Sequence, residues 1–248
     1  MQQAGWAWLT LEDANNRWPL VAAAPRLHAR SNLLTVYIEG DGLAWLGSTR
    51  ASPDPTPVEP VGLQVALQDA QPAAWLARPC QYQPAAPACE PRWWTSHRFA
   101  PDVVAAMNTG LDALKRHTGA QDLFLVGYSG GGALAVLLAD RRSDVVGLAT
   151  LAGNLDTDEW TRRLGLARLS GSLNPAHAAQ RVAHIPQIHF VGDRDTVMPP
   201  EVAMAYEARS RQTPSRLQRV SGADHACCWS ERWPELARHL PRRATAAP

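Results

Sequence analysis

Residues 122–132, DLFLVGYSGGG, place Ser129 among glycines, after an apolar stretch and before an Ala/Leu-rich stretch. The apolar stretch predicts a β-strand, and the residues from Gly130 onward predict a helix. A chain that reverses this sharply forces its turn residue into a strained conformation, and the small residues Gly127 and Gly131 leave room for the crossing. The hydroxyl of Ser129 is then exposed at the tip of the strand. Because the Gly130 N–H lies at a helix N-terminus, a developing oxyanion is stabilised there, and Ser129 is the candidate nucleophile.

Length and composition favour a single α/β domain over residues 1–248. The chain is 46% hydrophobic and 19% charged, as expected of a globular protein with a sizeable core. A net charge of +1 gives no long-range attraction to nucleic acid or to an anionic membrane, so we expect neither as a partner. No stretch approaches the roughly 20 apolar residues of a membrane span. The basic residues are almost all arginine, with Lys115 the only lysine, and this bias indicates a GC-rich bacterial genome.

Predicted strands alternate with predicted helices, which is typical of a mostly parallel central sheet with helices on both faces. We predict strands at residues 6–11, 20–24, 33–38, 74–77, 123–126, 145–151, 188–191 and 216–220, with the first two as short edge strands. We predict helices at residues 62–69, 101–117, 130–142 and 199–211, and a last helix after residue 229. The polar segment 153–181 is a candidate small lid, and residues 81–97 form a surface excursion.

A serine nucleophile requires a base, and the base requires an orienting acid. His225 follows the last predicted strand in a glycine-containing loop, and Asp195 follows the strand before it. Loops after parallel strands meet at one edge of a sheet, so these side chains can reach Ser129. Asp193 is the alternative acid, although its place directly after Gly192 favours a turn role. We expect the other histidines to lie on the surface or on helices (His97, His117, His177, His239) or to be structural (His184, His189).

These motifs resemble the α/β-hydrolase superfamily over nearly the whole chain. The resemblance implies Ser129 as nucleophile, Asp195 as acid and His225 as general base, with no metal and no organic cofactor. The segment Glu39-Gly40-Asp41-Gly42 lies where the family often has a His-Gly oxyanion motif. The Asp41 N–H, or alternatively that of Gly42, would then act with the Gly130 N–H. Glu39 replaces the usual histidine, which argues for a bacterial branch outside the well-studied lipase subfamilies.

We expect Gly42, Tyr128, Trp45 and Arg78 to contact the substrate. Arg78 could bind an anionic group or pair with a local carboxylate, and the Asp41 side chain could contact substrate or close a turn. The loop tryptophans could line an apolar acyl pocket, although such residues more often anchor loops onto the core (Trp45, Trp93, Trp94, Trp229).

Four cysteines fall in predicted loops: Cys80, Cys89, Cys227 and Cys228. They are either reduced or form two disulfides. A bridge between the adjacent Cys227 and Cys228 would close a strained ring, so we expect each to pair with Cys80 or Cys89. A zinc site is disfavoured because adjacent cysteines rarely fill two corners of a tetrahedron. The first 16 residues lack the features of a signal peptide; the compartment stays open, and export is an option if the cysteines are paired.

The sequence thus predicts a serine hydrolase that cleaves a carboxylic ester or related acyl bond of a small molecule through an acyl-enzyme. A peptidase or an acyltransferase with the same triad is the alternative, followed by a non-catalytic binding relative. Because the lid is short, we expect no deeply buried tunnel for a long acyl chain.

Overall fold

An eight-stranded sheet forms the centre of the computed structural model, which describes residues 5–12, 17–26, 31–69, 72–210 and 216–241. The strands of this sheet and of a separate hairpin are β1 (Trp6–Leu11), β2 (Leu20–Pro25), β3 (Leu33–Ile38), β4 (Trp45–Leu46), β5 (Arg50–Ala51), β6 (Ala73–Leu76), β7 (Asp122–Tyr128), β8 (Val145–Leu151), β9 (Gln187–Gly192) and β10 (Leu217–Val220). The helices are α1 (Val61–Ala66), α2 (Pro101–Thr118), α3 (Gly130–Ala139), α4 (Thr157–Leu164), α5 (Pro200–Ser210) and α6 (Trp229–Leu236).

The sheet has the strand order β1-β2-β6-β3-β7-β8-β9-β10. The six strands β6-β3-β7-β8-β9-β10 are parallel to one another. At one side of the sheet, β2 pairs antiparallel with β6, and β1 pairs antiparallel with β2. The carboxyl ends of β3, β7, β9 and β10 therefore lie along one edge, where their following loops can meet. The predicted mostly parallel central sheet is confirmed.

Helices cover both faces of the sheet. Alternating residues of β7 point into different cores: Leu123 and Leu125 pack with α2 and α3, whereas Phe124 and Val126 pack with α1 and α6. Helices therefore cover β7 on both faces, which explains why this central strand is a nearly continuous hydrophobic run. These two cores fix the sheet edge that presents Ser129.

Local signals explain the ends of α2. Pro101 begins the helix, Asp102 lies in its first turn, and Gly119 ends it in the left-handed conformation with φ of +76°. Lys115 and Arg116 lie in the last turn, where they interact favourably with the helix dipole. Among the helices of the described ranges, none has both the length and the apolar character to cross a membrane.

The predicted elements are present, with shifts of one to three residues at most ends. Arg211, the predicted end of α5, lies outside the described residues. The prediction of β2 as an edge strand is wrong, because β2 pairs with both β1 and β6. The sequence interpretation also missed the hairpin of β4 and β5, whose strands have only two residues each.

The histidine in β9, His189, is buried in the neutral state. Its Nε2–H donates to Gln187 Oε1 at 3.2 Å, and its Nδ1 accepts from the Thr150 hydroxyl at 2.9 Å. Gln187 Nε2 donates to the Val182 carbonyl at 2.9 Å, which fixes the amide orientation. Burial lowers the pKa of His189 to about 3. The structural role expected for this histidine agrees with these contacts.

We predict that His189 makes the fold sensitive to mild acid. The unfolded chain takes up a proton on this residue near pH 6.5, whereas the folded chain resists protonation down to about pH 3. Stability is therefore lost as pH falls through this window, by up to about 1.4 kcal/mol per pH unit. Urea unfolding between pH 7 and 4.5 should show a shallower pH slope for His189→Gln. The exposed His184→Gln is the matched control and should keep the wild-type slope; equal slopes for all three proteins would contradict this prediction.

Candidate active site

Ser129 occupies the turn between β7 and α3, with φ of +50° and ψ of −119°. Its N–H donates to the Leu151 carbonyl at 2.9 Å, and its carbonyl accepts from the N–H groups of Gly132 and Asn154, each at 3.0 Å. A Cβ on Gly131 would lie 2.2 Å from the Ile38 carbonyl oxygen, so only glycine allows α3 to approach β3 this closely. Close packing and three backbone hydrogen bonds thus hold the positive φ that aims the hydroxyl into the cleft.

The three side chains predicted for nucleophilic catalysis form one hydrogen-bonded chain. Ser129 Oγ lies 3.0 Å from His225 Nε2, and His225 Nδ1 lies 2.9 Å from Asp195 Oδ2. A carboxylate only accepts hydrogen bonds, so Asp195 favours the tautomer with the proton on Nδ1 and leaves Nε2 as the acceptor for the hydroxyl. Ser129 and Asp195 are both buried, and the imidazole is one-fifth exposed. This arrangement can deprotonate the hydroxyl when it attacks an electrophile.

Backbone donors hold the acid in place. Asp195 Oδ1 accepts from the N–H groups of Val197 and Met198 at 2.9 and 2.7 Å, which leaves Oδ2 for the histidine. The alternative acid, Asp193, accepts from the Gly222 N–H at 2.8 Å in the next loop. Its contact is thus that of a turn residue.

Two aromatic side chains hold the loop of His225 in place through hydrogen bonds. The Tyr128 hydroxyl and the Trp229 indole N–H each donate to the His225 carbonyl at 2.9 Å. Burial raises the pKa of Tyr128 well above its usual value, with neighbouring carboxylates adding to the effect, so the phenol keeps its proton. Asp224 Oδ1 also accepts from the N–H groups of Ala226 and Cys227, at 3.0 and 2.7 Å. The imidazole position is therefore set by contacts on both sides of its residue.

Glu39, in the place of the histidine that the superfamily often has, is a buried structural acceptor. Its Oε1 accepts from the N–H groups of Gly40 and Gly62 at 3.0 and 3.1 Å, and its Oε2 accepts from the Leu63 N–H and the Trp75 indole at 3.1 and 2.9 Å. Burial raises the pKa of Glu39, although these hydrogen bonds work in the opposite direction. The side chain ties the end of β3 to the start of α1.

The carboxylate of Asp41 pairs with two arginines. Its Oδ1 accepts from Arg78 Nη1, and its Oδ2 accepts from Arg98 Nη1 at 2.6 Å. Burial acts to raise the pKa of Asp41, but the attraction of Arg98 and Arg78 outweighs it and lowers the pKa below its usual value. Asp41 is therefore ionised in the neutral range.

A cleft of about 860 Å³ opens beside Ser129 and His225. Its walls come from the loop after β3, the excursion after β6 and the segments after β8 and β9. The lining residues include Asp41, Gly42, Trp45, Val58, Ser96, Arg98, Tyr128, Trp160, Leu166, Leu169, Val197 and Met198. This volume lies within the range of small-molecule sites. The segment that the sequence marks as a lid, residues 153–181, contributes Trp160 and residues 166–169 to one wall.

The structure places most of the predicted substrate residues at this cleft. Gly42, Tyr128 and Trp45 line it. Arg78 does not belong to the lining, and the contact that it makes is the alternative considered for it, an ion pair with a local carboxylate. The Arg78 guanidinium is buried against Asp41, and its Nη2 donates to the Arg98 carbonyl at 2.6 Å.

Three of the four tryptophans considered as pocket residues anchor loops onto the core. Trp93, Trp94 and Trp229 are buried, and the Trp94 indole donates to the Ser52 carbonyl at 3.0 Å. Trp45 is 42% exposed and lies on the cleft wall. Sequence reasoning missed Arg98 and Trp160 as cleft residues, because Arg98 lies in an irregular segment, Trp160 lies in the short helix α4, and neither belongs to a recognisable motif.

The expected cysteine pairing is wrong. Cys80 is bonded to Cys89, with their Cα atoms 5.6 Å apart, and Cys227 is bonded to Cys228. Cys80 is also buried in the core rather than exposed in a loop. Its partner lies within the same excursion after β6, so no cross-connection to the histidine loop is needed. The adjacent pair is accommodated where Cys228 adopts the left-handed conformation, with φ of +74°, just before α6. Among the described residues, no group of three or more His, Cys, Asp or Glu side chains could hold a metal ion.

Several solved structures resemble this chain at low sequence identity. Est1E from Butyrivibrio proteoclasticus is 15% identical, with a TM-score of 0.63 over 94% of this chain and 95% of that one. The esterase Pf2001 from Pyrococcus furiosus is 11% identical, with a TM-score of 0.66 over 96% and 93% of the two chains. An alpha-beta serine hydrolase homologue from Coxiella burnetii is 17% identical, with a TM-score of 0.61 over 94% of each chain. These likenesses show the α/β-hydrolase fold.

A search of curated protein sequences finds no match to this chain. The model of one protein family, described as "Serine hydrolase (FSH1)", matches residues 56–223. This segment is more than half of the chain and includes Ser129 and Asp195, with His225 just beyond its end. The chain therefore belongs to the FSH1 serine hydrolase family.

Proposed function

We propose that this serine hydrolase cleaves carboxylic esters of small molecules through an acyl-enzyme on Ser129. The observation that carries the proposal is the continuous chain from the Ser129 hydroxyl through His225 to the buried Asp195 carboxylate, with both links at hydrogen-bond distance. Pf2001, which is similar in fold and is described as an esterase, supports an ester over other acyl bonds.

In the acylation step, Ser129 Oγ attacks the ester carbonyl carbon while His225 Nε2 takes the hydroxyl proton. Asp195 stabilises the imidazolium that forms and keeps its ring oriented. The N–H groups of Gly130 and Asp41 donate to the tetrahedral oxyanion, with Gly42 as the alternative second donor. Each such donor contributes roughly 3 kcal/mol to the transition state.

The tetrahedral adduct then expels the alcohol, which receives the proton held by His225. A water molecule attacks the acyl-Ser129 carbonyl, and His225 takes a proton from that water. Collapse of the second adduct releases the carboxylic acid and returns the proton to Ser129. A peptidase or acyltransferase would use the same residues with an amine leaving group or with a second alcohol as acceptor.

Apolar side chains around the cleft support a substrate with an apolar acyl or alcohol group. In the described part of the chain, the large hydrophobic residues that are well exposed are Trp8, Trp45, Val58, Leu164, Leu166, Val197 and Met204, and four of these line the cleft. Trp45 and Val58 lie between β3 and α1, Leu166 follows α4, and Val197 follows β9. Three separate segments thus bring exposed apolar side chains to the same cleft, which is typical of a binding site. A bound apolar group would cover them and gain about 0.8 kcal/mol per buried CH₂.

Labelling with a fluorophosphonate tests Ser129 as the nucleophile. We expect stoichiometric labelling of the wild-type protein and none of Ser129→Ala, together with loss of ester hydrolysis by a factor of at least about 1,000. Ser96→Ala is the matched control, because Ser96 also lines the cleft and its hydroxyl lies 2.8 Å from His97 Nδ1. This control should label normally. Labelling that persists in Ser129→Ala would remove the proposed mechanism, and labelling without hydrolysis of any ester would favour a different acyl substrate.

A series of p-nitrophenyl esters from acetate to palmitate tests the apolar site. We expect kcat/KM to rise about threefold or more per added pair of carbons up to medium length and then to stop rising, because the cleft is open rather than a deep tunnel. Leu166→Ser should lower kcat/KM for the octanoate ester about three- to tenfold and leave the acetate ester within twofold. Leu164→Ser is the matched control, since Leu164 is also exposed but does not line the cleft. A flat series, or equal effects of the two substitutions, would contradict an apolar specificity site.

A further inference from the structure

Asp41, Arg78 and Arg98 form a buried ionic cluster beside the nucleophile. The two guanidinium groups bind different oxygens of the same carboxylate, and the arginines are only 4% and 5% exposed. Each arginine is fixed further by the backbone: Arg78 Nη2 donates to the Arg98 carbonyl at 2.6 Å, and Arg98 Nε donates to the Thr95 carbonyl at 2.7 Å. The carboxylate thus has one defined position.

This carboxylate is packed against the first residue of α3. A Cβ placed on Gly130 would lie 2.1 Å from Asp41 Oδ1 and 2.7 Å from Arg78 Nη1. Asp41 therefore touches Gly130 directly, and any larger residue at position 130 would push the cluster away. The two N–H groups that would hold the oxyanion belong to these same two residues, one on each side of the contact.

The net charge of the cluster determines whether it repels an oxyanion on the substrate. An unpaired carboxylate this close would repel negative charge developing on the substrate, and the repulsion would be strong away from bulk water. With a guanidinium on each oxygen, the negative charge of Asp41 is compensated while the carboxylate still fixes the loop. Arg78 and Arg98 are therefore needed to compensate the negative charge of Asp41.

We infer that Asp41 is a positioning residue whose side chain, clamped by Arg78 and Arg98 against Gly130, aligns the oxyanion-binding N–H groups. The two arginines keep its negative charge from opposing the oxyanion. The inference rests on the proposed function, since it assigns a role to groups around the same acyl-enzyme step. It goes beyond the proposed function because it gives the side chains of Asp41, Arg78 and Arg98 a part in the reaction that acts through the backbone N–H groups.

Steady-state kinetics of Asp41→Asn and Arg98→Gln on a p-nitrophenyl ester test this role. We expect kcat to fall 10- to 100-fold in each, because misaligned donors lose part of their effect, while KM changes less than threefold. A trifluoromethyl ketone forms a tetrahedral oxyanion adduct with a serine, so its inhibition constant should rise by a similar factor. A change in KM alone, or a fall in kcat with an unchanged inhibition constant, would overturn the inference.

A double substitution separates charge compensation from simple structural support. In Arg98→Gln the carboxylate has lost one of its cations, so adding Asp41→Asn should restore kcat at least threefold relative to Arg98→Gln alone. A purely structural cluster would give a double variant whose kcat is equal to or lower than that of Arg98→Gln, and this result would overturn the role in charge compensation. Arg98→Lys keeps the positive charge and loses the planar fork, so its kcat should lie between those of wild type and Arg98→Gln. This variant tests charge compensation if Asp41→Asn does not fold.

Asp144→Asn is the matched control for removing a carboxylate between two cations. Asp144 pairs with Arg142 and Lys115 at the start of β8, at the opposite edge of the sheet from Ser129. It should lower thermal stability with kcat within twofold of wild type. If Ser129→Ala is inactive while Asp41→Asn has normal kcat, only this inference fails; if Ser129→Ala stays active, the proposed function fails first.

Discussion

The strained backbone at Ser129, with its positive φ, is the constraint on which the rest of the site depends. A non-glycine residue in this region costs of order 1–3 kcal/mol, and it persists only where its surroundings leave no alternative. Here the surroundings are the glycines on either side, the close approach of α3 to the end of β3, and hydrogen bonds to Leu151 and Asn154. Relaxing that turn would move the hydroxyl away from His225 and separate Gly130 from Asp41. The strain is therefore part of how the site is built.

The topology explains why residues far apart in the chain meet at this turn. Strands β3, β7, β9 and β10 are parallel and end at one edge of the sheet. Each supplies one part of the site in its following loop: Asp41 after β3, Ser129 after β7, Asp195 after β9 and His225 after β10. The cores on both faces hold the strands rigid, so loops of irregular structure are positioned by a regular scaffold. The network around Glu39 has the same effect for the loop after β3, which has no regular structure until the short hairpin.

The fold and the three reactive side chains were predictable because their signals are local. A glycine-flanked serine between an apolar strand and a helix, an aspartate after one strand and a histidine after the next each depend on a few neighbouring residues. The partners of Arg78 and Glu39 were not predictable, because they are set by which loops meet in space. Arg78 contacts Asp41 in the loop after β3 and the Arg98 carbonyl shortly before α2, and sequence alone did not identify which carboxylate it pairs with. The predicted disulfide pairing was wrong for a related reason. The strained ring expected between Cys227 and Cys228 led to the prediction that each pairs with Cys80 or Cys89, whereas Cys80 is bonded to the nearby Cys89.

The central claim is that the substrate acyl group is transferred to Ser129 with the help of His225. Rapid quenching of the wild-type protein with an excess of a p-nitrophenyl ester, followed by proteolysis and mass mapping, tests it most directly. We predict an acyl adduct on the peptide that contains Ser129, formed at the rate of the p-nitrophenol burst. Turnover with no adduct on that peptide, or an adduct on another residue formed at the burst rate, would contradict the account.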